Sequence, residues 1–456
     1  MSSHHSVVAR KRSFAKRSAS RARALRVSIH PAMHAEQAYV FRHALVRDAA
    51  YQLQLPGARA QLHALAADAL EALYGPPAEC GIDLDSFAPS PADPFAEEIC
   101  AHLQAALPPK GKRARKSALL ARLALHLRRA AHHSVEQFRY AQAADRFERL
   151  ANELSAHVPN PACELIKAAD AASRAFQGRR ALKLCRQALQ LSRASRDRLQ
   201  IGRALGALGR HLHHTGQEGR ASRVLDGALA ILREQGDSEG LMAATSARGT
   251  LALDRDDFTL AEPLLNEALE LARKHGHVRR EGTALNNLAA LHIEMRNPAK
   301  ALAILETALA FNRRHGNLRA LGFTYANIGS VHHGTGDYKN AQGAFDEALA
   351  IHRQIGNFQH AGYVQNFLGR INERMGRPLE ARRHWLEAAD SFAACGNSRF
   401  EGGTRCEAAI VLLTQGGLSQ AESEFARGIE LMRQDPQPGL VERLTGRFEQ
   451  TRKDAC

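Results

Sequence analysis

Residues 318–356 read LRALGFTYANIGSVHHGTGDYKNAQGAFDEALAIHRQIG. In the second half of this stretch Ala341, Phe345, Ala348 and Ile351 fall four, three and three residues apart, which traces one stripe of an α-helix. In the first half Ile328-Gly329 marks a second stripe, where a small residue lets a neighbouring helix come close. Gly336 stands between the stripes as a turn, and Gly356 follows the second as a left-handed stop. The stretch therefore reads helix, turn, helix, stop.

The same unit recurs along the chain. Ala181, Ala221, Ala261, Ala301, Ala341, Ala381 and Ala421 are spaced by 40 without slippage. Four residues after each comes Cys185, Leu225, Leu265, Leu305, Phe345, Trp385 or Phe425. Three further on stands a small residue, alanine from Ala188 to Ala388 and then Gly428. Three more bring an apolar one, at Leu191, Ile231, Leu271, Phe311, Ile351 and Leu431, with Ser391 the exception. Upstream, Leu208-Gly209, Arg248-Gly249, Leu288-Ala289, Leu368-Gly369 and Ala408-Ala409 keep the same interval. Turn residues separate the stripes at Gly216, Asp256, Asn297-Pro298, Gly376 and Gly416, and glycines close the units at 236, 276, 316 and 396. A weaker unit precedes these: Ala130-Ala131, then Ala143, Phe147 and Leu150, with a 38-residue step from Ala143 to Ala181. The expectation is eight helix pairs between about 117 and 434.

The composition agrees with packed helices. Of 456 residues 45% are apolar but only 5% aromatic, so the core leans on Ala and Leu rather than on the Val, Ile, Thr and aromatics of a β-sandwich. No stretch approaches 18 consecutive apolar residues, so no membrane span is expected. The net charge of +15 is local: residues 1–30 and 109–129 each hold eight Lys or Arg and no acid. Taking those 16 from 62 leaves 46 basic against 47 acidic residues, so the body is neutral. The seven cysteines are scattered and include no CxxC pair, which excludes a disulfide framework and fits a reducing cytoplasm.

The repeat resembles the tetratricopeptide repeat (TPR), in a 40-residue form similar to those of kinesin light chains and G-protein-signalling modulators. It departs from the family where glycine replaces the proline that usually ends the second helix. Residues 39–75 resemble the segment that closes the winged-helix region of signal-transduction (STAND-type) and cyclase-linked ATPases; Phe41, Arg42, His43, Leu45, Tyr51, Leu55, Leu62, His63 and Ala67 carry the match. The phosphate-binding loop GxxxxGK[ST] of those ATPases is absent, so no nucleotide chemistry carries over. The resemblance implies an all-α fold, an α-solenoid wound as a right-handed superhelix. The expected organisation is a basic disordered tail at 1–37, a helical winged-helix remnant at 38–108, a basic linker at 109–116, the TPR array at 117–434 and a capping helix or tail at 435–456.

No catalytic or metal-binding pattern is legible. His211, His213 and His214 lie at spacings that point in different directions around a helix, and Cys185 occupies a core column. The expectation is no enzyme, cofactor or metal. A solenoid lines its concave face with the first helix of each pair. In this register Arg210, Asn286, Asn287, Asn327, Asn366, Phe367 and Arg370 point inward, with Tyr363 beside them. Asn287 and Asn327 occupy one position in adjacent repeats, where the TPR resemblance implies an asparagine that holds the backbone of a bound peptide. A carboxamide suits that task because it offers a donor and an acceptor. The functional expectation is a non-catalytic, cytoplasmic scaffold or signalling sensor arm binding a peptide or helix of a protein partner. The alternative is a nucleic-acid-associated transcriptional regulator that uses the winged-helix remnant and the basic tail.

Overall fold

The computed structural model describes residues 51, 54–75, 87, 89–107, 113–433 and 439–455. The tail at 1–37, the winged-helix-like residues Phe41 to Leu45, and the linker residues 109–112 lie outside the described residues. The chain divides into two units, 1–63 and 64–456. In the first, the Tyr51 hydroxyl lies 2.9 Å from His63 Nε2 and the Arg59 guanidinium sits 5.2 Å from the Tyr51 ring centre.

Helix α1 (Pro56–Tyr74) and α2 (Ala96–Ala105) precede the repeats. Eight helical hairpins follow: α3 (Arg113–Glu136) with α4 (Tyr140–Glu153), α5 (Pro161–Arg174) with α6 (Gly178–Ala194), and α7 (Arg198–His214) with α8 (Glu218–Glu234). Next come α9 (Ser238–Leu253) with α10 (Phe258–Lys274), α11 (Val278–Glu294) with α12 (Pro298–Arg314), and α13 (Leu318–Gly334) with α14 (Tyr338–Gln354). The last two are α15 (Phe358–Arg374) with α16 (Pro378–Ala394) and α17 (Ser398–Thr414) with α18 (Leu418–Arg433), after which α19 (Leu440–Ala455) closes the array. Among the described residues there is no strand, and no helix is long and apolar enough to cross a membrane. The fold is an all-α solenoid. Helix α3 begins at Arg113, so residues 113–116 of the expected linker are already helical.

The turns explain the punctuation. Gly336 (φ +80°) and Gly356 (φ +72°) take the left-handed conformation that stops a helix at little steric cost. The next helix then starts on a side-chain cap: Asp257, Asn297, Asn317, Asp337, Asn357 and Asn397 each accept a bond from the backbone N–H three residues on.

Packing within a pair is an exchange of size. A Cβ added to Gly209 would lie 2.6 Å from Leu225 Cγ, one on Gly329 2.8 Å from Phe345 Cδ1, and one on Gly369 2.6 Å from Trp385 Nε1. Each first helix yields volume where its partner presents a large side chain, and the largest sits over Gly369. The second-helix stripe needs one correction. Its fourth core position comes four residues after the small one, not three: Leu191 is 45% exposed whereas Ser192 is fully buried. Leu232, Ala272, Asn312, His352, Phe392 and Met432 fill the same buried column. Steps of four, three and four keep a stripe closer to the helical period than four, three and three. The column was hard to read because its chemistry varies, and each member is matched by its partner helix. His352 and Phe392 face Gly322 and Gly362, which have no side chain.

The amino-terminal pair is held differently. Arg129, 1% exposed, grips Asp93 through two bonds of 2.7 Å and lies 4.5 Å from the Phe87 ring centre. Arg122 bonds Asp68 and Glu71, and Arg128 bonds Glu164. Three cations of the second basic segment are thus internal struts. The thiols of Cys100, Cys185 and Cys406 are buried, and burial pushes each up to about 12.

Candidate peptide-binding groove

The curvature of the array brings distant helices into contact. Glu136, at the end of α3, accepts two bonds from Arg279 at the start of α11, Nη1 to Oε1 at 2.6 Å and Nη2 to Oε2 at 3.1 Å. The two residues are 143 apart in sequence, with three hairpins between them. One hairpin further along, Arg319 of α13 donates to the Tyr140 hydroxyl at 3.3 Å and lies 5.3 Å from the Phe138 ring centre. A stack of hairpins brings such residues together only by bending with its first helices inside. The bend encloses a cavity of about 740 Å³. Its walls come from the α3–α4 turn, the end of α5, α9, α11, α13, the α12–α13 turn, Ala268 of α10 and Ile355 after α14, and none of the groove residues expected from the sequence is among them.

The inward-facing residues expected from the sequence fall into three groups. Asn286, 5% exposed, donates to the Ala320 carbonyl at 3.0 Å and accepts from the Thr324 hydroxyl at 3.0 Å. Its carboxamide is spent between α11 and α13, one step inside the groove surface. Asn287 donates to Ser246 Oγ and Asn327 to the Asn286 carbonyl, both at 3.2 Å. The equivalent positions thus make equivalent bonds, each reaching back to the first helix of the preceding pair. A carboxamide keeps capacity beyond one such bond.

The second group lies on α15. Asn366 accepts from Trp385 Nε1 at 3.1 Å, which satisfies the one indole N–H of the chain within its own hairpin. Phe367 stacks on Phe345 at 5.2 Å, and Tyr363 packs edge-on to Phe392 and Phe400 at 5.1 and 4.9 Å. Arg370 is exposed; burial, with Arg370 and Arg374 nearby, holds the His333 imidazole below its usual pKa. The third is Arg210 alone, half-buried and paired with Asp170 at 2.6 Å. The structure brings the three asparagines of α11 and α13 into one ladder and the four α15 residues onto a neighbouring stretch, and it sets Arg210 apart.

The histidines flagged in the sequence make surface or core contacts: His213 lies 2.6 Å from Asp254, and His211 is buried. Sequence reasoning missed Glu136, Phe138, Tyr140, Arg279 and Arg319. No local pattern in the sequence marks them. Phe138 holds φ at +56° at the turn position that four later pairs fill with glycine (216, 336, 376 and 416) and three with Phe176, Asp256 and Arg296.

A tetratricopeptide repeat family model matches residues 240–314, 280–354 and 320–394. The chain carries TPRs. Comparison with curated proteins gives no match. Among solved structures the TPR chain is similar to a Rap protein complexed with competence and sporulation factor (17% identity over 75% of this chain and 99% of that one, TM-score 0.47). It is also similar to a signal transduction ATPase with numerous domains and a TPR sensor from Pyrococcus horikoshii (14% identity, 81% of this chain and 56% of that one, TM-score 0.48). A kinesin-light-chain-like protein of Podosopora anserina with nearly identical TPR-like repeats shares 16% identity over 43% of this chain and 98% of that one, at a TM-score of 0.35.

Proposed function

We propose that the TPR array is a non-catalytic, cytoplasmic scaffold or sensor arm whose inner face holds a peptide or helix of a partner protein. The observation that supports this reading is a cavity of a size suited to a ligand, walled by several hairpins at once; the expected groove residues lie outside its lining, Arg210 on α7 and the rest on neighbouring stretches of α11, α13 and α15. Asn287 and Asn327 supply backbone-directed hydrogen bonds in this reading, and Tyr363, Phe367 and Arg370 supply selectivity.

The test is a photo-crosslinker placed at Phe367 on the inner face and, separately, at the exposed Glu306 on a second helix. Crosslinks to a partner form from Phe367 and not from Glu306. The captured partner is then titrated by calorimetry. Asn287→Ala combined with Asn327→Ala weakens it about tenfold, since each neutral bond contributes roughly 0.5–1.5 kcal/mol, with helix content unchanged. Crosslinks from the outer position alone, or unaltered affinity, defeat the reading. The alternative of a nucleic-acid-associated regulator predicts DNA binding with a log–log salt slope on the order of −7 for eight neutralised phosphates, abolished by deleting residues 1–37.

A further inference from the structure

One helix of the array carries charge of a single sign. Helix α6 holds Arg179, Arg180, Lys183, Arg186 and Arg193 and no carboxylate. Arg180 turns to the preceding second helix and pairs with Asp145 and Glu148 of α4 at 2.7 and 2.6 Å. The other four are exposed, and among the described residues none of their side chains has a hydrogen-bond or ion-pair partner. They stand four, three and seven residues apart, with the exposed Gln190 in the longer gap. Such steps keep one straight row on one side of a helix, about 21 Å long at about 1.5 Å per residue.

The later repeats show what this row lacks. Where α6 has Arg186, they place Asp226, Asn266, Glu306 and Asp346. Where it has Arg193, they place Arg233 and Arg353, but each of these donates at 2.9 Å to a glutamate 34 residues on, Glu267 and Glu387. The residue at the same distance from Arg193 is Gly227, so the cation is kept and its acceptor is missing. The neighbouring second helices balance their charges: α4 sets Asp145, Glu148 and Glu153 against Arg146 and Arg149, and α8 sets Glu218, Asp226 and Glu234 against Arg220, Arg223 and Arg233. The uncompensated charge is therefore one helix wide. Like charges along one row repel, and a row of acceptors relieves that cost.

A strip of this width suits a narrow partner. A membrane or a nucleic-acid duplex laid across it would also rest on the carboxylates of α4 and α8. The pairs that the chain makes for itself join cations of one second helix to carboxylates of another: Arg180 to α4, Arg233 to α10 and Arg353 to α16. We infer that the outer face of α6 is a docking ridge for a helix of a partner protein whose carboxylates form a straight row. The ridge lies on a second helix and does not depend on the groove built from the first helices. Each exposed pair contributes little alone, so recognition needs several pairs in register and weakens as salt rises.

The experiment uses the full chain and two fluorescein-labelled, alanine-rich helical peptides of equal composition, followed by fluorescence anisotropy at low salt. One carries its glutamates in a single row at i, i+4, i+7 and i+11; the other spreads the same glutamates around the helix. The row peptide binds at least fivefold more tightly than the spread one. Lys183→Glu combined with Arg186→Glu weakens it at least tenfold, whereas Arg427→Glu, at an exposed cation on α18, changes it less than twofold. Gly227→Glu supplies the acceptor that later repeats have, at a site where an added Cβ meets open space, and weakens the row peptide about two- to fivefold by competing for Arg193. Equal binding of the two peptides, binding of neither, or unaltered affinity in the Lys183 and Arg186 double variant or in Gly227→Glu overturns the inference. So does a DNA duplex, or a vesicle of phosphatidylserine and phosphatidylcholine, that binds more tightly than the row peptide and depends on the same two cations, since the ridge then reads phosphates. Circular dichroism of each variant separates lost binding from lost folding.

Discussion

Two contacts of this chain obey different rules. Gly369 under Trp385 is repeated, in kind, as Gly209 under Leu225 and Gly329 under Phe345 at intervals set by the 40-residue unit. Glu136 on Arg279 occurs once, between residues 143 apart, and depends on no interval. The first is local: each hairpin exchanges volume inside itself. The second is the accumulated result of small rotations from one hairpin to the next, which bring the first pair back against the fifth. A stack of repeats therefore has a robust wall and a delicate bore. Damage to the wall should cost stability, and damage to the bore should cost recognition.

The largest expected loss is in the wall. Trp385→Ala removes the most voluminous fully buried side chain and leaves Asn366 without its indole partner. Urea unfolding should register a loss of about 4–5 kcal/mol. A change below about 1 kcal/mol would mean that hairpin interiors do not dominate stability. Next comes the buried strut near the amino terminus. Asp93→Ala strands the Arg129 charge in a site 1% exposed and should cost about 3–4 kcal/mol by the same measurement.

The pH dependence sharpens the comparison within the wall. Burial lowers the His352 imidazole from its ordinary value of about 6.5 to about 4, with Arg319 adding to the effect. The unfolded chain therefore binds the proton more readily than the folded one between those values. Stability is full above about pH 6.5, falls as pH drops towards 4, and loses nothing further from this group below that. His352→Asn, the residue already found in the same column at Asn312, should flatten that slope in thermal melts taken across the window. An unchanged slope would assign it to other buried imidazoles. The smallest effect belongs to the bore: Glu136→Gln should alter unfolding free energy by less than about 1 kcal/mol, because the pair is partly solvated. A large stability loss there would erase the distinction between wall and bore.

The wall was legible because its causes are local. Alanine at 40-residue spacing, glycine after each second helix, and a small residue opposite a large one each report a contact a few residues or one hairpin away. The column from Ser192 to Met432 escaped because it mixes hydroxyl, amide, imidazole and apolar side chains, and only its facing glycines make sense of it. Ser391, the exception in the apolar stripe, donates to Gln365 at 2.7 Å, a cross-helix partner that no periodicity reports. In the groove, the equivalence of Asn287 and Asn327 could be read from spacing, but not that their amides already bridge neighbouring first helices. Glu136 and Arg279 could not be paired from sequence at all, since their meeting depends on the pitch of everything between them.

The closing helix α19 carries a consequence of its own. It packs where the first helix of a ninth hairpin would lie, with Phe448 stacked 4.1 Å from Phe425 and Arg447 bonded to Glu407 at 2.8 Å. A row of identical building blocks has no intrinsic reason to stop, and an uncovered last block is sticky toward the first block of another molecule. Helix α19 covers that apolar end with Leu444 and Phe448 and turns Glu442, Arg443 and Lys453 to solvent, so the far end of the described array presents charge where a bare hairpin presents apolar surface.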